Sequence, residues 1–509
     1  MDGGSRWLVW KKGKPAETTL KTLLGNTAYL IKSSSDFQWK VKGKPVPPRY
    51  QWTSKGQNLI GFSTPAGQPP NFDSFLSKVP GLVQDLEIFA YQGGPLGASN
   101  PDKVRALRTT NVDRGKAFWI RSKAGRFNRY FGPVEVELQN IDGVHFGDRL
   151  SQYRIVIRNL TQANLTVSMD QLDSESAPTG QTAIVGRPPL LVRGALNPTS
   201  LKHTFSALNG AVSWTLKPQG EEGAVEEIVI GVDRRTLGGA EGALYAGLLR
   251  FTDSLGFTQI DVGTSATKNS LAGLWVGDVN VAEVRHDLKR AQTLANGVNR
   301  LDANGKVVIS GSTTSFGKAF RPYPLRIIVH VSGDGKMTLL QRVFYGFTDG
   351  FQARLATKES LISKKHLALS KRISAVHLPW TQANTTWAFL GGSFGPGQSI
   401  QAKVNLGHND HPSNPFLHTY HPDHDNRKAT FNQYQSRGIE SYDVERTIAL
   451  SLATPSEGFG DVTRSHKRLG GTYGESVTFK GSGNQIKQYD VRGTFVLNRI
   501  STIKSLTTE

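Results

Sequence analysis

The most chemically reactive part of the chain is a segment rich in histidine and aspartate at positions 408–426. Five of the 12 histidines fall between positions 408 and 424, and three aspartates accompany them. Imidazole and carboxylate groups together suit zinc and other transition metals, whereas calcium prefers oxygen ligands alone. The segment therefore predicts one divalent metal ion, with zinc or another transition metal favoured over calcium. The candidate ligands are His408, Asp410, His411, His418, His421, Asp423, His424 and Asp425.

Prolines place these side chains on a loop, because those at positions 412, 415 and 422 fix φ and exclude a long helix. A loop can wrap an ion, so the closely spaced His418, His421 and His424 can converge on one metal. Asp423 or Asp425 would complete the shell or orient an imidazole. Three other interpretations compete: side chains that cap turns, a polar network between two sheets, and a solvated surface loop. The spacing matches no zinc-protease signature.

Other arrangements that could support catalysis are weak. The chain has no cysteine, which excludes thiol nucleophiles, thiolate metal sites and iron–sulfur clusters. Neither a nucleophile elbow nor a phosphate-binding P-loop is present. The acids Glu221-Glu222 and Glu226-Glu227 are sequence neighbours, which face opposite sides of a strand and do not form a glycosidase pair. We therefore assign no catalytic residues, and we favour a binding role while leaving enzymatic activity open.

The composition indicates how these residues are positioned. Hydrophobic residues make up 37% of the 509 positions, and 54 glycines and 24 prolines indicate short strands joined by many turns. We expect a mainly β fold of several β-sandwich or immunoglobulin-like modules with few short helices. Three domains are predicted: an N-terminal aromatic-cored β module at 1–140, an immunoglobulin-like β-sandwich at 141–265, and a C-terminal β domain at 266–509 that carries the His/Asp-rich loop.

Several elements can be predicted individually. A short helix is expected at 71–78, capped by Asn71. A hairpin is expected from strands at 326–331 and 337–344, joined by a turn at 332–335. The strongest helix prediction is 359–372, and a strand at 489–497 is expected to close a sheet.

The net charge of +20 favours anionic partners. Acidic polysaccharide and other polyanions fit this field, and nucleic acid is a less favoured partner because no nucleic-acid-binding motif is visible. The alternative is that the charge is spread over solvated faces and keeps the protein soluble. No apolar run is long enough for a transmembrane helix. The first residues lack an apolar leader, so the chain begins either as a cytosolic protein or, as we prefer, as a trimmed segment of a precursor.

Several phrases of the sequence resemble an uncharacterised family of large secreted bacterial surface proteins. The most specific is H-x-Y-H-P-D-H-D-N at 418–426. The other phrases lie at 6–10, 58–62, 273–279, 326–331, 470–475 and 493–500, so the resemblance covers most of the chain. It implies a long exported chain, often with laminin-G-like sandwich modules, although no clear module of that kind is visible here. No activity of the family can be carried over.

These observations favour an extracellular or cell-surface structural or binding protein that associates with copies of itself. One alternative is a metal-dependent hydrolase that acts on an extracellular polymer, based on the His/Asp-rich segment. A second alternative is a polyanion-binding module, based on the net charge.

Overall fold

The protein is mainly β with few short helices, as predicted. The computed structural model describes residues 8–25, 27–36, 38, 42–97, 100–140, 142–296, 298–305, 307–313, 315–340, 342–357, 359–374, 387–408, 442–481 and 486–507. The chain divides into two compact units, residues 1–268 and 269–509. Among the described helices, none has the length and apolar character needed to cross a membrane.

The first unit begins with a small sheet around an aromatic core. A 3-10 turn at Pro15–Glu17 is followed by four strands in the order β1-β4-β2-β3. The elements are β1 (Asn58–Gly61), α1 (Phe72–Leu76), α2 (Leu82–Asp85), β2 (Leu86–Ala90), β3 (Asp102–Lys103) and β4 (Ala117–Ser122). Rings pack edge to face in this core, with 5.3 Å between the centroids of Phe62 and Phe75 and 4.9 Å between Phe72 and Phe118.

The helix predicted from Asn71 is confirmed. The Asn71 side chain accepts a hydrogen bond of 2.8 Å from the backbone N–H of Ser74, which satisfies one donor of the first helical turn. Phe72, Phe75 and Leu76 are buried on one face of the helix. The spacing of these apolar residues and the cap were therefore sufficient to predict the element.

Two larger sheets of the first unit form a sandwich. The strands are β5 (Val134–Leu138), β6 (Val144–Gly147), β7 (Gln152–Asn159), β8 (Leu165–Asp173), β9 (Ile184–Gly186), β10 (Leu190–Asn197), β11 (Lys202–Ala207), β12 (Val212–Leu216), β13 (Val225–Val232), β14 (Leu244–Asp253) and β15 (Gln259–Thr267). One sheet has the order β11-β10-β13-β7-β5, and the other β12-β8-β14-β15-β6, with β9 beside β14. Inward side chains of both sheets share one hydrophobic core, for example Ile155 and Ile230 with Val167 and Phe251.

Strand β5 pairs with β7 and so belongs to the sandwich, although it lies within the predicted N-terminal module. The three-domain division itself stays a prediction.

The second unit contains a long antiparallel sheet. Its strands are β16 (Gly273–Ala291), β17 (Ile309–Thr313), β18 (Gly317–Val331), β19 (Met337–Leu340), β20 (Arg342–Asp349), β21 (Gln352–Ala356), β22 (Lys371–Ser374), β23 (Trp387–Gly392), β24 (Ser399–Leu406), β25 (Asp443–Leu452), β26 (Arg468–Lys480) and β27 (Ile486–Ser501). The order is β17-β16-β18-β19-β23-β24-β25-β26-β27, and β27 also pairs with β16. Eight strands, from β16 through β18 to β27, therefore close on themselves.

Glycines allow the closing strands to approach each other. A Cβ at Gly277 would collide with the carbonyl oxygen of Val496, and a Cβ at Gly493 would collide with that of Asn280. Only glycine fits where β16 and β27 come this close. The closed sheet surrounds a core that includes Trp275, which is fully buried.

Neighbouring strands of the closed sheet are all antiparallel, so alternate connections emerge at opposite ends. The last residues of β16, β24 and β26 and the first residues of β18, β25 and β27 lie at one end, where Lys480 pairs with Ile486 for example. We call this end the mouth. The other end has the connections at 332–336, 393–398 and 453–467, the last of which holds α4 (Phe459–Thr463).

The predicted turn between β18 and β19 is confirmed, with Val331 paired to Met337 around it. The second strand was predicted too long: it ends at Leu340, and Arg342–Asp349 form β20, which pairs in a separate sheet with β21 and β22. The predicted helix at 359–372 is wrong. That region contains a 3-10 turn at Glu359–Leu361, the four-residue helix α3 (Lys364–Leu367) and strand β22, which pairs with β20. No apolar stripe supports a long helix here, because Leu369 is 78% exposed.

Candidate functional site

The His/Asp-rich segment begins at the mouth of the closed sheet. Strand β24 ends beside the start of β25, with Leu406 opposite Val444. His408 follows, and both its backbone N–H and its Nδ1 lie 3.0 Å from Oδ1 of Asp443. The other candidate ligands lie outside the described residues: Asp410, His411, His418, His421, Asp423, His424 and Asp425. The structure therefore positions one of the eight predicted ligands and identifies Asp443 as its partner.

The contact between His408 and Asp443 has a chemical consequence. A carboxylate that accepts the Nδ1–H of an imidazole orients the ring and keeps the Nε2 lone pair available for a metal. Within the described parts of the chain, no three histidine or acidic side chains lie together as a metal site. The pair thus has the form of one ligand and its orienting group.

Aromatic and cationic side chains line the inside of the mouth. We call them the mouth cluster: His286, Tyr442, Phe479, Lys487 and Tyr489. The ring centroids of Tyr442 and Phe479 are 6.0 Å apart, those of Phe479 and Tyr489 are 5.7 Å apart, and those of His286 and Tyr489 are 6.3 Å apart. Lys487 Nζ donates to the Tyr442 hydroxyl at 3.1 Å.

Strand pairing explains this grouping. Tyr489 on β27 lies opposite His286 on β16 and opposite Val477 on β26, and Lys487 lies opposite Phe479. Alternate residues of these strands face the hydrophobic core. Tyr489 is 38% exposed, so the cluster extends from the top of the core to solvent.

A buried charged network lies on the inner faces of the same strands. Arg446 Nε donates to Glu475 Oε1 at 2.5 Å, and the Tyr473 hydroxyl donates to Glu475 Oε2 at 2.6 Å. The side chains of Arg446 and Glu475 are only 3% and 2% exposed. Burying two charges is costly unless they are paired and hydrogen-bonded, and here each meets its counterpart.

Ion pairs on the outer face of the same strands keep acids ionised. Hydrogen bonds from Lys480 and Lys403 hold the pKa of Glu445 below its ordinary value, and each Nζ lies 3.0 Å from a carboxylate oxygen. Burial alone would raise the pKa of Asp490. Hydrogen bonds from Gln488, from Arg285 at 2.6 Å and from Ser476 outweigh burial and lower it.

The mouth cluster and the charged network were not predicted from the sequence. A signal was present for Arg446, because it replaces a hydrophobic residue in the alternation Val444, Ile448, Leu450 of a strand. An arginine at an inward position indicates a buried partner. The mouth cluster carried no such signal, because its members come together only when distant strands pair.

No protein-family model matches the chain, and no curated protein matches it. Among solved structures, the chain is similar to a Bacteroides ovatus protein of unknown function at 8% identity. That similarity covers 68% of this chain and 84% of the other, with a TM-score of 0.18. A TM-score this low supports no inference about the fold or function of this chain.

Proposed function

We propose that the protein is an extracellular or cell-surface binding protein, not an enzyme, and that it holds an acidic polysaccharide at the mouth of its closed sheet. The observation that carries the proposal is the mouth cluster, where four aromatic rings and an ammonium group lie together at one end of the closed sheet. Closed antiparallel sheets commonly bind ligands at such ends. The resemblance to secreted surface proteins supports the location.

The chemistry of the mouth cluster suits an acidic sugar. Aromatic faces provide apolar, rigid surfaces against which the C–H faces of a sugar ring can pack. The Lys487 ammonium is a point charge with three donors, and a carboxylate is its natural counterion. A net charge of +20 attracts a polyanion over a longer range than these contacts.

The experiment is titration calorimetry with polygalacturonate, neutral dextran and double-stranded DNA, each at several salt concentrations. We expect polygalacturonate to bind best, with an affinity that falls as salt rises. We expect Lys487→Gln to weaken binding roughly tenfold, as the loss of a charge-assisted hydrogen bond predicts.

Lys336→Gln is the matched control, because it removes the same charge from the opposite end of the sheet. If Lys487→Gln and Lys336→Gln weakened polygalacturonate binding equally, or if DNA bound as tightly as polygalacturonate, the binding would be due to overall charge. Binding to none of the polymers would remove the proposal.

A metal-dependent hydrolase of an extracellular polymer is the second candidate, and the contact between His408 and Asp443 favours it. The test is elemental analysis of untagged protein purified without added metal, beside His408→Ala and His421→Ala. This candidate predicts one zinc or other transition metal per chain, lost in both variants. His203→Ala, at a half-buried histidine of the first unit, should keep the metal. A metal-free wild-type protein would remove this candidate.

A further inference from the structure

One hairpin of the first unit extends beyond the sandwich core. The first three residues of β10 are buried, but residues 194–202 are exposed, and β11 is largely exposed as well. We call residues 194–206 the hairpin arm. Leu196 is 51% exposed and Leu201 is 76% exposed. The arm therefore presents two large apolar side chains to solvent on a pair of strands.

Leu201 at the tip has an unfavourable backbone conformation. Its φ is +54°, in the left-handed region that glycine and asparagine tolerate far better than leucine. The turn is built by Asn197, whose side chain accepts from the N–H groups of Thr199 and Ser200, and whose carbonyl accepts from Leu201. A strained and exposed leucine is a poor choice for the folded monomer alone, which points to a contact made by this side chain.

Strand β11 is also the last strand of its sheet. The Leu208 N–H donates to Leu190 O, so in the alternation of an antiparallel pair the backbone groups of Phe205 and Ala207 point away from β10. The Ala207 carbonyl already accepts from the Asn209 N–H, so the open part of the edge is centred on Phe205. Such an edge can pair with another strand. Two other edges of this unit are less suited: β3 has two residues, and β5 carries Glu135 and Glu137.

We propose that a second copy of this chain pairs its β11 antiparallel to this β11, which joins two five-stranded sheets into one. The strand is compatible with itself. When the pairing is centred on Thr204, the only charged residue of β11, Lys202, lies opposite Ser206, so like charges do not meet. Thr204 lies opposite its own copy, and Leu201 lies beside the second copy's Ala207, where it loses contact with water.

Sedimentation velocity over a range of protein and salt concentrations tests the association. We expect a monomer–dimer equilibrium that strengthens as salt rises, because two copies of charge +20 repel each other. We expect Leu201→Asn to weaken dimerisation at least tenfold without lowering the melting temperature, since asparagine tolerates the positive φ. Leu255→Asn, at another exposed leucine of this unit, should leave dimerisation unchanged.

Cross-linking tests the register, because the natural chain has no cysteine. Thr204 would form a non-hydrogen-bonded pair with its own copy, whose Cα atoms lie at about 4.5 Å and suit a disulfide. Oxidation of Thr204→Cys should give a covalent dimer, whereas Gln181→Cys, in an exposed loop, should stay monomeric. A wild-type monomer at all concentrations, or a dimer unaffected by Leu201→Asn and not linked through Thr204→Cys, would overturn the proposal.

Discussion

The sandwich and the closed sheet place their buried charges differently. In the sandwich, Arg234 is buried just after β13 ends, and its guanidinium donates to the carbonyls of Thr267, Gly147 and Leu150. In the closed sheet, Arg446 and Glu475 lie within strands and face the interior.

This difference indicates what each buried charge does. Arg234 ties strand ends and connections together, and burial lowers its pKa to about 10, so it stays charged at neutral pH. The pair of Arg446 and Glu475 lies on the inner face of the strands that carry the mouth cluster. We infer that the sandwich uses buried charge to hold its connections, whereas the closed sheet uses it to shape the interior next to the proposed binding site.

The largest effect is expected from breaking the charged pair in the closed sheet. Glu475→Gln removes the carboxylate that faces the Arg446 guanidinium, and we expect it to lower the free energy of unfolding by about 3–5 kcal/mol. Native-state hydrogen exchange of peptides from β25 and β26 measures this, with peptides from β7 as an internal reference. The control is the double variant Arg446→Met/Glu475→Leu, which we expect to lie close to wild type. If Glu475→Gln lowered the free energy of unfolding only slightly, the buried pair of Arg446 and Glu475 would not be stabilising the closed sheet.

A smaller effect is expected from the buried arginine of the sandwich. Arg234→Met leaves three carbonyls without their donor, and we expect a loss of about 1–3 kcal/mol. The loss should be seen by hydrogen exchange in β13 and β15 and not in β25. Arg193→Met is the control, because this arginine is half-buried in the same sheet, and we expect it to change the free energy of unfolding little. A loss as large as that for Glu475→Gln would contradict the distinction between the two regions.

The third effect is a pH dependence carried by one histidine in each region. Burial, partly offset by a hydrogen bond with the Ile503 carbonyl, lowers the pKa of His330 in the second unit. Burial, partly offset by the Asp142 carbonyl, lowers that of His145 in the first unit.

As pH falls below about 6.5, the unfolded chain takes up a proton before the folded chain does. Each unit should therefore lose stability between that pH and its lower folded pKa, by up to about 1.4 kcal/mol per pH unit. Urea unfolding with hydrogen exchange from pH 5 to 8 measures this. His330→Gln should reduce the pH dependence of the free energy of unfolding in the second unit only. His145→Gln should reduce it in the first unit only. If the pH dependence of stability were unchanged in both variants, these two histidines would not be its source.

Local features of the fold could be predicted, and non-local ones could not. The cap at Asn71 and the turn between β18 and β19 depend on residues close in sequence, and both are confirmed. The helix at 359–372 was wrong because its residues present no continuous apolar stripe, with Leu369 exposed, and its last two residues join β22, which pairs with β20. Closure of the sheet joins β16 to β27 across about 200 residues, and no local pattern specifies that pairing.

The candidate site shows the same limit. Residue types directed attention to the segment that starts at His408, but the partner of His408, Asp443, is 35 positions away and became evident only from the register of β24 and β25. The metal itself stays a prediction. The mouth cluster combines residues of β16, β26 and β27 with Tyr442, and each of them alone is an ordinary strand or strand-end residue.

Hydrogen exchange of the wild-type protein with and without saturating polygalacturonate tests whether the ligand binds at the mouth. Binding at the mouth predicts slower exchange in peptides that cover 442–446 and 477–489, with no change at 329–340 near the opposite end. Protection at the opposite end, protection confined to the sandwich, or no protection despite measured binding would contradict a ligand site at the mouth.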